Sequence, residues 1–122
     1  MYALVNLAAA RLALGDIEGA HAAALPALRL ARTRDPIASA ASMLYIAAID
    51  GMQGRHRSAA RLLGYVDTWA ARGYRWDPAE AACRDQLLER LTQSLDAQTL
   101  AGDLAIGAKL NEETAAEEAL RT

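Results

Sequence analysis

Phenylalanine is absent from this chain, lysine occurs once, at Lys109, and cysteine once, at Cys83. A lone cysteine forms no intrachain disulfide, so nothing calls for an oxidising compartment, and a reducing cytoplasm is the default expectation. Twelve arginines against one lysine, in an alanine-rich chain, are the usage expected of a high-GC bacterial genome. Long hydrophobic runs are also missing. The longest uncharged stretch, Pro36 to Ile49, falls well short of the roughly 20 residues a bilayer requires, so no membrane span is expected. Residues 1–10 are apolar but have no basic leader, and Arg11 and Asp16 break the apolar character directly after them, which argues against a signal peptide.

The motifs that carry chemistry are missing as well. No phosphate loop of the G-x-x-x-x-G-K-[ST] kind, G-x-G-x-x-G turn, H-E-x-x-H pair or G-x-S-x-G elbow occurs. His21 and His56 fall on separate helices, where a surface or interhelical role outweighs a metal site. Cys83 has no C-x-x-C partner and lies on an apolar stripe, as a buried inert thiol would. Glu112, Glu113, Glu117 and Glu118 read as a solvated helix face matched to the dipole, not as an acid/base group. Gly51-Met52-Gln53-Gly54 with Arg55-His56-Arg57 after it imitates a phosphate-clamping GxxG loop, but that loop belongs to a sheet-containing fold and no strand pattern is present. The expectation is therefore no catalytic activity, no cofactor, no metal and no direct contact with nucleic acid or membrane.

What is present is alanine, leucine and helical periodicity. With 122 residues and 53% hydrophobic content the chain can bury one core, so residues 1–122 are expected to form a single domain. The net charge of −2 hides an uneven distribution: residues 1–76 carry nine Lys/Arg against five Asp/Glu, residues 77–122 four against ten. Opposite halves of this kind favour attraction between the two ends or between neighbouring copies.

The first helix is expected over Tyr2–Leu14, stopping at Gly15, and a second runs from the cap Asp16 to Arg32 with Pro26 inside it, where a kink is expected. Asp35-Pro36 opens a third, in which Ile37, Ala41, Leu44, Ala48 and Met52 recur and no charge precedes Asp50, so it reads as the central buried helix. The stretch Gly54 to Gly73 is a helix with two packing faces. Ala59, Leu62, Leu63, Val66, Trp69 and Ala70 line up on one side, while Ala60, Gly64 and Ala71 lie opposite, among Arg57, Arg61 and Arg72. Asp77-Pro78-Ala79-Glu80 starts a fifth helix, to about Thr92, with Ala79, Cys83, Leu87, Leu88 and Leu91 inward and a Glu80 to Arg84 pair outward. A sixth, Asp96 to Ile106, buries Leu100 and Leu104 and ends at Gly107, and Asn111 caps a short seventh.

Gly15 to Ala20 and Gly54 to Ala59 both read G-x-x-x-x-A across a helix–turn–helix, a period of about 39 residues. Here the chain resembles tetratricopeptide (TPR) repeats: Leu4, Leu7, Ala8, Gly15, Ala20, Ala24, Ala27 and Leu28 stand in order at that motif's packing positions. The second, longer unit keeps Gly54, Ala59 and Leu63. Residues 1–73 thus form two degenerate TPR-like units and 74–122 a C-terminal helical extension. Ala59 to Gly64, Asp77 to Glu80, Leu95, Leu100-Ala101, Leu104-Ala105, Gly107, Leu110, Glu113, Ala115 and Leu120 resemble the C-terminal helical region of bacterial STAND-class regulatory ATPases, LuxR-type transcription regulators among them. Leu100 and Leu104 stand where that tail usually has an aromatic residue and a tryptophan.

The resemblance implies an all-α, TPR-like antiparallel array of about seven helices, acting as a protein-interaction or effector-sensing module of a cytoplasmic signal-transduction or transcription regulator. Its partner would be another protein or upstream domains of the same regulator. A standalone homodimeric adaptor, or a small-ligand-binding helical domain, is the alternative. The residues singled out for a partner are Arg57, Ala60, Arg61, Gly64 and Arg72 of the arginine-rich face, with Tyr74 and Trp76 after it. The two aromatics otherwise cover the end of the core. The small-residue strip is a partner surface only if no later helix lies on it.

Overall fold

The computed structural model describes residues 1–121 and is all-helical over that range. Seven helices succeed one another: α1 (Tyr2–Ala13), α2 (Ile17–Ala31), α3 (Pro36–Met52), α4 (His56–Ala71), α5 (Pro78–Ser94), α6 (Ala97–Ala108) and α7 (Glu112–Leu120). Connections of two to six residues join them, and α1 to α4 pack one on the next, the helix-turn-helix array expected of the periodicity. The later helices return to earlier ones, α5 to α3, α6 to α4 and α7 to both.

The starts are set by side-chain caps. Asp16, Asp35, Asp77, Asp96 and Asn111 each accept a hydrogen bond from the backbone N–H three residues on, satisfying one orphan donor apiece. The stops repeat. Gly15, Gly54 and Gly73 take positive φ, and the N–H of the residue after each reaches back to the carbonyl of Arg11, Asp50 or Trp69. The first two turns therefore correspond at the 39-residue offset seen in the sequence. They even carry opposite charges in reversed order, Arg11 and Asp16 against Asp50 and Arg55.

Helix α3 is the hub. It packs against α1, α2, α4, α5 and α7, and every residue from Ala38 to Gly51 is buried. The expected apolar face is incompletely covered at its ends, where Ile37 and Met52 remain 40% and 36% exposed. Helix α2 runs through Pro26 without interruption. The carbonyl of Ala22, deprived of its helical donor by that proline, belongs to an exposed residue and can turn to water. Helix α7 lays Ala115, Ala116 and Ala119 onto the core beside α3 and α4. Its Glu112 also accepts a hydrogen bond from the Thr33 N–H in the α2–α3 turn, at 2.7 Å.

Candidate functional site

The small-residue strip of α4 is covered, because α6 crosses it and makes the most extensive helix pairing in the molecule. Ala60 and Gly64 are fully buried there. The crossing is reciprocal: a Cβ on Gly64 would run into the Leu104 backbone carbonyl, and one on Gly107 into that of Arg61. Two backbones this close require glycine on both sides. Gly107 therefore lies inside α6, which continues to Ala108 and does not stop at the glycine as its sequence implies. Ala71, beyond the crossing, stays exposed.

The arginines of that face are also engaged. Arg57 Nε and Arg61 NH1 hold the buried Asp103 carboxylate at 2.9 and 3.5 Å, and Arg61 Nε reaches Glu118 at 2.6 Å. Glu118 and Glu112 are thus tertiary links, which corrects the expectation of a wholly solvated glutamate face. With α6 and α7 in place, Ala60, Arg61 and Gly64 form an internal contact, and Arg57 reaches Asp103 from the exposed rim of that contact. No single helix pattern distinguishes an internal strip from an external one, since the difference depends on where α6 returns.

Arg72, Tyr74 and Trp76 sit apart from these four, at the α4–α5 corner. The Arg72 guanidinium lies 4.8 Å over the Trp69 ring. Tyr74 and Trp76 meet edge to face, 4.8 Å between centroids, and Trp76 packs against the core. The Tyr74 hydroxyl donates to Glu80 at 3.1 Å, and burial, then the Glu80 charge, pushes its pKa up to about 12. Glu80 faces inward and is only 5% exposed, closing the capping box of α5. Its expected outward pairing with Arg84 does not form. Arg84 instead grips Asp67 with two hydrogen bonds, at 3.0 and 2.9 Å. The capping geometry at the α5 start turns Glu80 back towards the chain, which the four-residue spacing alone does not reveal.

A different feature is open to the outside. Helices α1 and α5 both pack on α3 but barely touch one another, and a trough of about 350 Å³ lies between them. Ala9, Leu12 and Ala13 form the α1 wall, and Ala48 and Met52 the floor. Ala79, Ala82, Cys83 and Leu87 form the α5 wall, with Gln86 and Arg90 at one end. The expected inward stripe of α5 is therefore divided: Leu87 and Leu91 are buried, whereas Ala79 and Cys83 face the open space. The signal in the sequence was the alanines at 9, 13, 48, 79 and 82, which are too short to close a three-helix junction. Burial pushes the Cys83 thiol up to about 12, so it is a neutral part of the wall at physiological pH.

Among the described residues no group of three His, Cys, Asp or Glu is arranged to hold a metal ion, and no helix is long and apolar enough to cross a membrane. No protein family, curated protein or solved structure matches the chain.

Proposed function

We propose that the chain is a non-catalytic, TPR-like protein-interaction or effector-sensing module of a bacterial signal-transduction or transcription regulator, and that the trough between α1, α3 and α5 is its receiving site. The observation that carries this reading is the trough itself. Stacked helical repeats bind along the surface where alternate helices line up, and α1, α3 and α5 are the alternate helices of this array. A bound effector touching both α1 and α5 would change how those helices seat on α3, and so pass a signal to attached domains.

The test places a photo-crosslinking benzoylphenylalanine at Ala82, inside the trough, and separately at Arg121, on the charged C-terminal edge. Crosslinking to a partner or to a neighbouring domain should be confined to position 82; equal yields at both positions sink the reading. The regulator assignment has its own check in the genome, where an in-frame Walker A sequence upstream is expected and its absence counts against it.

The homodimeric adaptor draws on a specific observation as well. With the α4 strip covered by α6, an unpartnered apolar stripe remains on α1, where Ala3, Leu7, Ala10 and Leu14 are exposed, Leu14 by 84%. Light scattering that finds a strict monomer at all concentrations removes this reading. A dimer dispersed by Leu14→Glu favours it.

A further inference from the structure

The trough is polar at one end only. On α5 its wall runs from Ala79 to Arg90, roughly 16 Å at 1.5 Å per residue. Ala79, Ala82 and Cys83 occupy the near part, Gln86 and Arg90 the far part, one helical turn apart on the same face. Among the described residues no carboxylate lines the trough. The Arg90 guanidinium has no hydrogen bond or ion pair with any described residue, as is also true of Arg29, Arg32, Arg34 and Arg75, but of these five only Arg90 lines the trough.

The Arg90 stem also runs close to α3. A Cβ on Gly51 would run into Leu87 at 2.7 Å and meet the Arg90 Cδ at 3.6 Å, so the missing side chain on α3 lets the α5 wall settle and brings the arginine stem against the hub helix. The stem thus lies against α3 while the guanidinium remains free.

We infer that the trough binds an anionic amphiphile, a straight-chain aliphatic carboxylate whose alkyl chain lies along the α5 wall and whose head meets Arg90 and Gln86. This rests on the reading of the trough as the receiving site. A protein partner can cover the mouth of the trough with its side chains, but a polypeptide segment lying inside it would leave its backbone N–H and C=O groups against alanine and leucine walls with nothing to bond. An alkyl chain has no such groups. The volume of about 350 Å³ falls at the lower end of small-ligand pockets. The free guanidinium selects a carboxylate over an ammonium by charge and by paired donors.

Titration calorimetry with decanoate and decylammonium below their micellar concentrations, and with decanol below its solubility limit, tests this. Decanoate should bind the wild-type chain at least about tenfold more tightly than decanol, the worth of one charge-assisted hydrogen bond, and decylammonium should not bind. Arg90→Glu should invert the preference between decanoate and decylammonium. Ala82→Leu should remove binding of all three while leaving the helical circular-dichroism spectrum unchanged. Equal affinity for decanoate and decylammonium overturns the inference, as does decanoate binding that survives Arg90→Glu. If no amphiphile binds but benzoylphenylalanine at position 82 still captures a partner, the ligand class fails and the receiving-site reading stands. If decanoate binds and that crosslink is absent, the ligand class stands and the protein-partner reading fails.

Discussion

Thr33 is the one non-glycine residue among those described with positive φ, at 68°. A β-branched side chain in the left-handed region crowds its own backbone, which costs on the order of 1–2 kcal/mol. The strain is held by the turn between α2 and α3, and the Thr33 N–H is tied to Glu112 on α7. Asparagine tolerates this conformation and keeps the same N–H. Thr33→Asn should therefore raise stability by about 0.5–1 kcal/mol in urea denaturation, with an unchanged slope. A loss of stability would mean that the threonine side chain contributes something beyond strain. Also at this scale, Asp50 and Glu80 are buried acids whose pKa is raised. Desolvation dominates in both, opposed at Asp50 by the hydrogen bond from Arg55 and at Glu80 by the Asp77 N–H.

Between elements, the α4–α6 crossing is the most demanding contact, and its two partners contribute matching glycines. In each helix the glycine stands three residues after the residue whose carbonyl receives the other helix, Arg61 before Gly64 and Leu104 before Gly107. Interior glycines normally weaken a helix by about 1 kcal/mol relative to alanine. Helix α6 contains two, and the structure assigns them opposite signs. Gly107→Ala should destabilise by about 2–3 kcal/mol, because neither backbone can give way. Gly102→Ala meets nothing within 4 Å and should stabilise by up to about 1 kcal/mol. Thermal melts of both variants decide the matter, and two shifts of the same sign would refute the close crossing. Asp103 secures the same contact by holding Arg57 and Arg61 of α4 from its buried position on α6.

Across the whole molecule, the buried acids set a pH dependence opposite to ordinary acid denaturation. For Asp50 and Glu80 the native pKa is raised, so the folded state binds more protons than the unfolded one. Their contribution is most favourable below the unfolded carboxylate value of about 4 and is lost as pH rises through each raised native value. Compared with the Asp50→Asn, Glu80→Gln double variant, the wild type should gain relative stability as pH falls from neutrality towards about 4. Denaturation at several pH values reads this as a slope, and a difference that stays constant with pH would contradict it.

Most of the architecture was legible along the chain, because local rules set it. Asp-Pro pairs at 35 and 77, glycine at 15, 54 and 73, and the uncharged run through α3 fix the helix ends and the buried hub by steric and hydrogen-bonding constraints that act within a few residues. The repeat offset was readable for the same reason, since each unit must end its first helix in the left-handed conformation. The sites were not legible. Gly64 and Arg61 look alike on a free face and beneath another helix, and only the return of α6 onto α4 makes them internal. The trough is likewise a property of three helices that are distant in sequence: α1 and α5 meet the same hub while their facing alanines are too short to close the gap. Local sequence sets where the helices begin, where most of them end, and which side of each is greasy; the exception is Gly107, which α6 passes through because α4 needs a glycine there. Which faces become core and which remain available to a ligand was decided by tertiary packing, since that depends on the distance between backbones and not on the pattern within any one of them.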